Sequence, residues 1–421
     1  MANVPGDMNH HQQSPVPEIT KCELRRPTRN GTAGEVLLAF LKLGLTSFGG
    51  PVAHIGYFRA EFVERRRWLD DRDFSDLVSL CQFLPGPASS QVGIAIGLGR
   101  AGWLGAFAAW LAFTLPSAFA LMLFAFGVHR WSAFLQSGVV HGLKLAAVAV
   151  VAQAVWGMAK SLCPDRLRAA IAVSSALFVL SIPSAIGQVT AIGVGFLIGI
   201  ARLAPSPLPS VSHHDYGVSK TTGAFLLVLF LVLLIVLPIW AALTQSMALS
   251  TVAVFYKAGA LVVGGGHVVL PLLQAGVVPI GWISNEVFLA GYGAAQAVPG
   301  PLFTFAAYLG ASMPSPMGGW VGGLFLLAVI FTPAFLLIVG TLPFWESLRQ
   351  RDIVQRGMLG VNAAVVGVLG ATLYDPVWTS SITSRVDFGC ALAAFGLLVV
   401  GRVSPVIVVV LCALAGGLMH G

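Results

Sequence analysis

The chain has 421 residues, of which 57% are hydrophobic and 10% charged, with a formal net charge of +7. A soluble domain carries roughly a quarter of its residues as charges, so the composition excludes a soluble globular protein, and strand alternation of the kind that builds a membrane barrel is absent. Lys and Arg collected on cytoplasmic loops account for the basic excess, which gives no ground for a nucleic-acid partner.

Residues 1–34 are polar, rich in Pro, Asn, Gln and His, and carry Lys21, Arg25, Arg26 and Arg29. They read as a disordered cytoplasmic tail without a cleavable signal peptide. A first transporter-like unit is expected over 35–203. It opens with an apolar run, 36–58, that contains Lys42 and is stopped by Gly49-Gly50-Pro51. The segment 59–76 is too polar to cross a bilayer, and its Phe62, Trp68, Leu69 and Phe74 predict a helix lying at the interface. The run 77–99 is interrupted by Pro85-Gly86-Pro87, and apolar segments follow at 102–127, 138–160, 168–182 and 184–202. A Pro/Ser/His-rich linker, 204–221, leads to a connecting transmembrane helix, 222–243, and a second unit covers 251–420.

The second unit repeats the first at a spacing of about 215 residues. Phe40, Lys42 and Gly44 match Phe255, Lys257 and Gly259; Trp68-Leu69 matches Trp282-Ile283; Gln82-x-x-Pro-Gly-Pro matches Gln296-x-x-Pro-Gly-Pro; Gly102-Trp103 matches Gly319-Trp320; Pro116 matches Pro333. Ordered matches at near-constant spacing mark a duplication. The charges then orient the copies. The loop with Arg59, Arg65, Arg66, Arg67 and Arg72 corresponds to 274–288, which has no Lys or Arg, whereas Arg349, Arg351 and Arg356 follow the long helix of the second copy. Basic loops face the cytoplasm, so the expected fold is an all-α polytopic membrane protein of two inverted-topology repeats. In this layout 36–58 and 77–99 are re-entrant from inside, 251–272 and 286–313 re-enter from outside, and the remaining segments cross once. The N-terminus is then cytoplasmic and the C-terminus outside. An ordinary set of crossings without hairpins stays open.

Each Gly/Pro break frees backbone N–H groups at the start of the next half-helix, and such groups attract anions. Four breaks fall in matched positions: Gly49-Gly50-Pro51, Pro85-Gly86-Pro87, Gly264-Gly265-Gly266 and Pro299-Gly300-Pro301. Any one alone is equally a kink or a packing glycine. The hydroxyls of Thr46, Ser47, Ser89, Ser90 and Thr304 lie beside them. Lys42 and Lys257 form a matched pair of cations able to attract an anionic substrate, or else snorkel to the interface. Gln82 and Gln296 precede the Pro-Gly-Pro turns, placed to touch substrate or to cap the turn. His54 and His267 follow the first break of each copy, as structural or titrating groups. Arg65-Arg66-Arg67 reads as a cytoplasmic anchor, and Arg59 with the intermingled acids as a gate network. No carboxylate lies deep in an apolar run, which argues against an Asp/Glu proton relay.

Enzyme signatures are missing: there is no Gly-Lys-Ser/Thr phosphate loop and no His-Glu-x-x-His helix. Cys22, Cys81, Cys163, Cys390 and Cys412 form no C-x-x-C pair, and His10-His11 and His213-His214 are isolated, so no disulfide framework, metal site or cofactor is expected. The work must draw on gradients.

The sequence Phe40-Leu-Lys-Leu-Gly-Leu-Thr-Ser-Phe-Gly-Gly-Pro, with Glu61, Trp68-Leu69 and Gln82-Phe-Leu-Pro-Gly-Pro, resembles the N-terminal signature of the chromate ion transporter superfamily. Lys257-Ala-Gly259, Gly264-Gly265-Gly266, Gln296-Ala-Val-Pro-Gly-Pro and Gly357 with Val361-Asn362-Ala363-Ala364 resemble its C-terminal half, over roughly 35–400 and in the long-chain, two-domain form. The resemblance implies a bacterial inner-membrane exporter of chromate that confers resistance, with sulfate as a related anion. Sulfate transport and an uncoupled anion channel are the alternatives. On this view Lys42 meets the anion first and Lys257 on release. The expected partners are the oxyanion and the lipid bilayer, with a homodimer left open. The second copy departs from the first in lacking a proline after its glycines.

Overall fold

The computed structural model describes residues 2, 31–47, 50–130, 138–182, 185–204, 216–262, 268–345 and 351–420. Every regular element among them is helical. The α-helices are α1 (Ala33–Thr46), α2 (Gly50–Phe58), α3 (Asp71–Phe83), α4 (Ala88–Arg130), α5 (Gly138–Leu162), α6 (Arg166–Ser181), α7 (Ala185–Arg202), α8 (Lys220–Thr244), α9 (Met247–Leu261), α10 (Val269–Val277), α11 (Asn285–Ala297), α12 (Phe305–Ser312), α13 (Gly319–Thr341), α14 (Asp352–Thr372), α15 (Arg385–Val399) and α16 (Pro405–His420). The expected all-α polytopic membrane protein is what the chain forms.

Side-chain oxygens start most of the connecting helices. Thr32 caps α1 through the Glu35 N–H, Asp70 caps α3, Asp165 caps α6, Ser219 caps α8, Ser246 caps α9 and Ser284 caps α11. Each cap accepts from an N–H that has no partner inside the helix. In the apolar phase this decides where a helix begins, because water cannot substitute.

Five helices are long and apolar enough to cross a membrane: 88–127, 138–160, 220–244, 319–344 and 352–375. The remaining expected crossings are shorter. At ~1.5 Å per residue, the 15 residues of α15 and 16 of α6 rise roughly 22–24 Å, less than a ~30 Å hydrocarbon core. α4 is two helices in one: Ala101 and Gly102 leave helical geometry, and Gly97 and Gly105 meet across the turn.

The first break is a hairpin. Were 40–62 one straight helix, its ends would lie ~33 Å apart. Instead Phe40 stacks on Phe62 with ring centroids 4.8 Å apart and meets Phe58 edge-on at 5.5 Å. Near the mouth, Glu35 lies 3.8 Å from Arg66. The second copy folds back likewise, with Val254 of α9 against Gly276 of α10. The segment around Pro299-Gly300-Pro301 does the same, bringing Phe288 to 5.0 Å from Phe305 and the Tyr308 hydroxyl to 2.8 Å from the Val287 carbonyl.

The charged segment 59–76 departs from the expected single interfacial helix. Arg59–Arg65 continues α2 as a π-helical turn, Arg67 takes a left-handed φ of 53°, and α3 starts at Asp71. The Asp70 cap and the acids Asp71 and Asp73 in the first turn of α3 favour a new helix start there. Upstream, α1 begins at Ala33, inside the stretch read as tail.

The two halves exchange partners. α5 packs on α15 and α16, while its counterpart α14 packs on α6 and α7. Small residues make both contacts close: Gly142 lies against the Cys412 carbonyl and Gly416 against that of Gly138, as Gly195 and Gly199 lie against α14 at Gly360. Without a hydrophobic drive between helices in lipid, backbone approach of this kind supplies the dispersion contact that holds them.

At the centre the exchange becomes a pair of hydrogen bonds. Gly86 N–H donates to the Val262 carbonyl at 2.6 Å, and Gly300 N–H donates to the Ser47 carbonyl at 2.9 Å. Gly86 and Gly300 match each other, as do Ser47 and Val262. Each Pro-Gly-Pro turn of one half therefore closes the broken helix of the other. Both glycines have a φ only glycine adopts readily, 118° and 105°. A Cβ on Gly300 would sit 2.8 Å from the Ser117 hydroxyl, and one on Gly86 3.7 Å from Ala334, the residue that matches Ser117.

Gly300→Ala is expected to lower stability by roughly 1–3 kcal/mol from backbone strain alone, read as a fall in the thermal midpoint in detergent. Gly389→Ala, in α15 with open space around it, is expected to leave the midpoint unchanged or raise it.

Candidate functional site

Ser47 ends α1 at an extended residue, fully buried, with its carbonyl taken by Gly300. Around this point the chain gathers polar side chains that the surrounding apolar core would otherwise exclude. His54 is 1% exposed, places Nδ1 3.3 Å from the Ser89 hydroxyl, faces the Ser47 backbone and meets Phe113 edge-on at 5.2 Å. Ser90, Gln91, Thr114, Ser117 and Thr304 are all at most 2% exposed. Some are spoken for: Gln91 Nε2 donates to the Pro85 carbonyl at 2.8 Å, Gln91 N–H to the Pro87 carbonyl at 2.9 Å, Ser117 to the Thr114 carbonyl at 3.0 Å, and Thr304 to the Pro301 carbonyl at 2.8 Å. Others have no protein partner: Ser47 Oγ, Ser90 Oγ, Thr114 Oγ1 and Gln91 Oε1. Native interiors leave few such groups, and each left over calls for a ligand or water.

The second copy does not repeat these side chains. The residues matching Ser47, His54, Ser89, Gln91, Thr114 and Ser117 are Val262, Val269, Phe303, Phe305, Phe331 and Ala334. The backbone exchange is symmetric, but these polar side chains belong to the first copy; Thr304, the match of Ser90, is the hydroxyl that the second copy keeps.

The cations divide in the same way. Lys42, about half exposed, lies one turn before the break and donates to Glu61 Oε2 at 3.3 Å. Arg65 reaches both Glu61 oxygens at 3.0 and 3.1 Å, and Arg66 reaches Oε1 at 2.7 Å. Glu61 is 5% exposed. Its burial would raise the carboxyl pKa, but hydrogen bonds from Arg66, Arg65 and Lys42 outweigh that and hold it at about 2. Beside it Arg100 pairs with Glu35 at 3.2 Å, and Arg66 and Arg100 lie over Trp68 at 5.2 and 5.0 Å. Arg59 bridges Asp71 and Glu64. In the second half Ala275 stands where Glu61 would, and half-buried Lys257 has no acidic partner among the described residues.

The remaining sequence candidates fall as follows. Pro85, Gly86, Pro87, Pro299, Gly300 and Pro301 form the two exchanging turns. Gly50, with a φ of 78°, and Pro51 start α2. Thr46 is exposed and its hydroxyl donates back to the Lys42 carbonyl at 2.8 Å, so it serves the helix end rather than the buried cluster. Gln82 is exposed on α3, and the amide that binds the Pro-Gly-Pro turn is Gln91. Gly49, Gly264, Gly265 and His267 lie outside the described residues. Gln91, Thr114 and Ser117 were not among the sequence candidates. The signal that finds them is a difference between copies: polar in the first, apolar in the second. Among the described residues no group of His, Cys, Asp and Glu is arranged to hold a metal ion.

The profile of the chromate transporter family matches residues 34–201 and again 249–417. A chromate transport protein of Pseudomonas aeruginosa is 28% identical over 404 residues, covering 91% of this chain and 92% of the relative. One from Cupriavidus metallidurans is 27% identical, covering 80% and 81%. An uncharacterized transporter of Methanocaldococcus jannaschii is 27% identical, covering 85% and 87%. No solved structure matches the chain.

A carboxyl held below its ordinary 4.5 contributes stability that is full above about pH 4.5 and is lost as pH falls toward 2. Thermal midpoints measured from pH 7 to pH 3 are expected to fall below pH 4.5. Glu61→Gln is expected to remove this Glu61-linked part of the fall and to cost on the order of 2 kcal/mol at neutral pH.

Proposed function

The chain belongs to the chromate transporter family, and on that premise we propose that it is a secondary transporter that carries chromate out of the cytoplasm through the cluster around Ser47. The observation that carries the reading is the crossed closure of two broken helices by the opposite halves' Pro-Gly-Pro turns, with unpartnered hydroxyls gathered at one of them. Chromate is a tetrahedral dianion. It needs donors on several sides and positive potential, and the hydroxyls of Ser47, Ser90 and Thr114 are buried donors without a protein partner.

Direction follows from charge. A dianion leaving an inside-negative cell gains ~2.3 kcal/mol per charge per 100 mV, roughly 4.6 kcal/mol in all. That supports an outward gradient of over a thousandfold without ATP. Arg65, Arg66 and Lys42 converge on one buried carboxylate, which puts three cations together at the mouth beside α1, where the anion would enter. The crossed bonds give a route to alternating access: one half rocks against the other, and opening one side stretches one bond of the pair before the other. Residues 35–203 and 251–420 act as the two rocking units in inverted orientation, in the inner membrane with the N-terminus inside. Export of the toxic anion would confer chromate resistance. Sulfate shares charge and shape with chromate and is expected to compete.

The test is chromate uptake into inverted membrane vesicles. Lys257→Ala, which removes a cation without a counter-charge, is expected to cut uptake at least tenfold. Lys42→Ala is expected to cut it several-fold, since Glu61 already neutralises part of that charge. Full uptake by both variants would overturn the site assignment. Absence of uptake by the unmodified protein under an imposed potential would overturn the export reading.

A further inference from the structure

A second polar place lies away from the Ser47 cluster. It is a cavity of about 260 Å³ with mainly apolar walls, in which Gln188, Gln274, Asn285, Thr372 and Asp375 are the polar lining residues. Its walls come from the C-terminal ends of α6, α10 and α14, and from the first turns of α7 and α11.

The chemistry of the lining is one-sided. Gln188 and Gln274 are 6% and 5% exposed. Both amide nitrogens are used, Gln188 Nε2 on the Pro271 carbonyl at 3.4 Å and Gln274 Nε2 on Asn285 Oδ1 at 2.8 Å. Both amide oxygens are buried with no partner. Thr372 spends its hydroxyl proton on the Val368 carbonyl at 3.0 Å, which turns its lone pairs outward. Asp375, exposed at the rim, adds a carboxylate, one oxygen of which accepts from Thr379 at 3.2 Å. Among the described lining residues there is no Lys, Arg or His. The C-terminal ends of α6 and α10 add the negative ends of their dipoles, while α14 runs on into a π-helical turn, Leu373–Trp378. The opposing helix starts are muted, since α11 is capped by Ser284 and carries Glu286 in its first turn. Lys144 acts on Glu286 and is offset by it.

A cavity rich in oxygen acceptors, with one formal negative charge and no cation, repels an oxyanion and suits a hard cation. We propose that this cavity binds one monovalent metal cation of the sodium class, held by the Gln188, Gln274 and Asp375 oxygens with part of its water shell. A single carboxylate matches a single positive charge, and the volume exceeds what a bare ion fills. Cation binding stands on this geometry alone. That the ion is coupled to transport rests on the reading above: Pro271 and Gln274 belong to α10, the return arm of the second hairpin, so occupancy of the cavity would bear on the half that carries Lys257.

The experiment is equilibrium binding of radioactive sodium to the purified full-length protein in detergent, in N-methylglucamine chloride and without chromate. Saturable binding of one ion per chain is expected, weakened at least tenfold in Asp375→Asn and in Gln274→Leu. Competition by potassium at the same site also supports the proposal. The thermal midpoint of the unmodified protein is expected to rise with sodium, and that of a folded Asp375→Asn to stay level. No saturable binding by the unmodified protein overturns it, as does unchanged binding in both variants or tighter binding of magnesium than of sodium. Chromate is absent from the assay, so failure here leaves the export reading standing, and failed vesicle uptake leaves this site standing.

Discussion

Two hydrogen bonds between the halves hold the centre of this molecule. A helix broken inside an apolar phase leaves backbone groups that water cannot reach, and each unpaired group is costly. Here Gly86 N–H closes on Val262 and Gly300 N–H closes on Ser47. Each half lends one N–H to the other's break. The same exchange extends outward through α5 with α15 and α16, and through α14 with α6 and α7. A duplicated unit thus folds as an interlocked pair, and a small shift of one half is felt at both breaks.

The symmetry stops at the backbone. Ser47, His54, Ser89, Gln91, Thr114 and Ser117 of the first copy are polar, and the residues that match them in the second are Val, Phe and Ala. Duplication supplies two equivalent cradles, and divergence has left hydrogen-bonding capacity in one. Charge diverged along with it. Lys42 sits in a network where Glu61 gathers three cations, whereas Lys257 has no acidic partner among the described residues. On the proposed reading, a transported dianion would meet a partly neutralised entrance first and Lys257 in the other half after it.

Helix ends carry the rest of the electrostatics. Breaks present N–H groups where an anion is wanted, and the cavity beside α10 collects C-termini and amide oxygens where a cation fits. On the two proposals, opposite charges would be drawn to opposite kinds of helix end within one fold.

Much of this was legible in the residues. Apolar runs, Gly/Pro breaks and the near-constant 215-residue spacing announced an all-α, duplicated membrane protein, because those features follow from local chemistry and from chain length against bilayer thickness. The break at Gly49-Gly50-Pro51, Lys42 and the Pro-Gly-Pro turns were visible for the same reason. Hydropathy could not tell a hairpin from a crossing, since both bury the same apolar residues; only the stacking of Phe40 on Phe62 decides it. Nor could sequence reveal that Gln91 rather than Gln82 binds the turn, that Glu61 holds Lys42, or that Gly300 closes Ser47 more than 250 residues away. Those partners are set by which helices lie side by side, and that is a property of the packed chain alone.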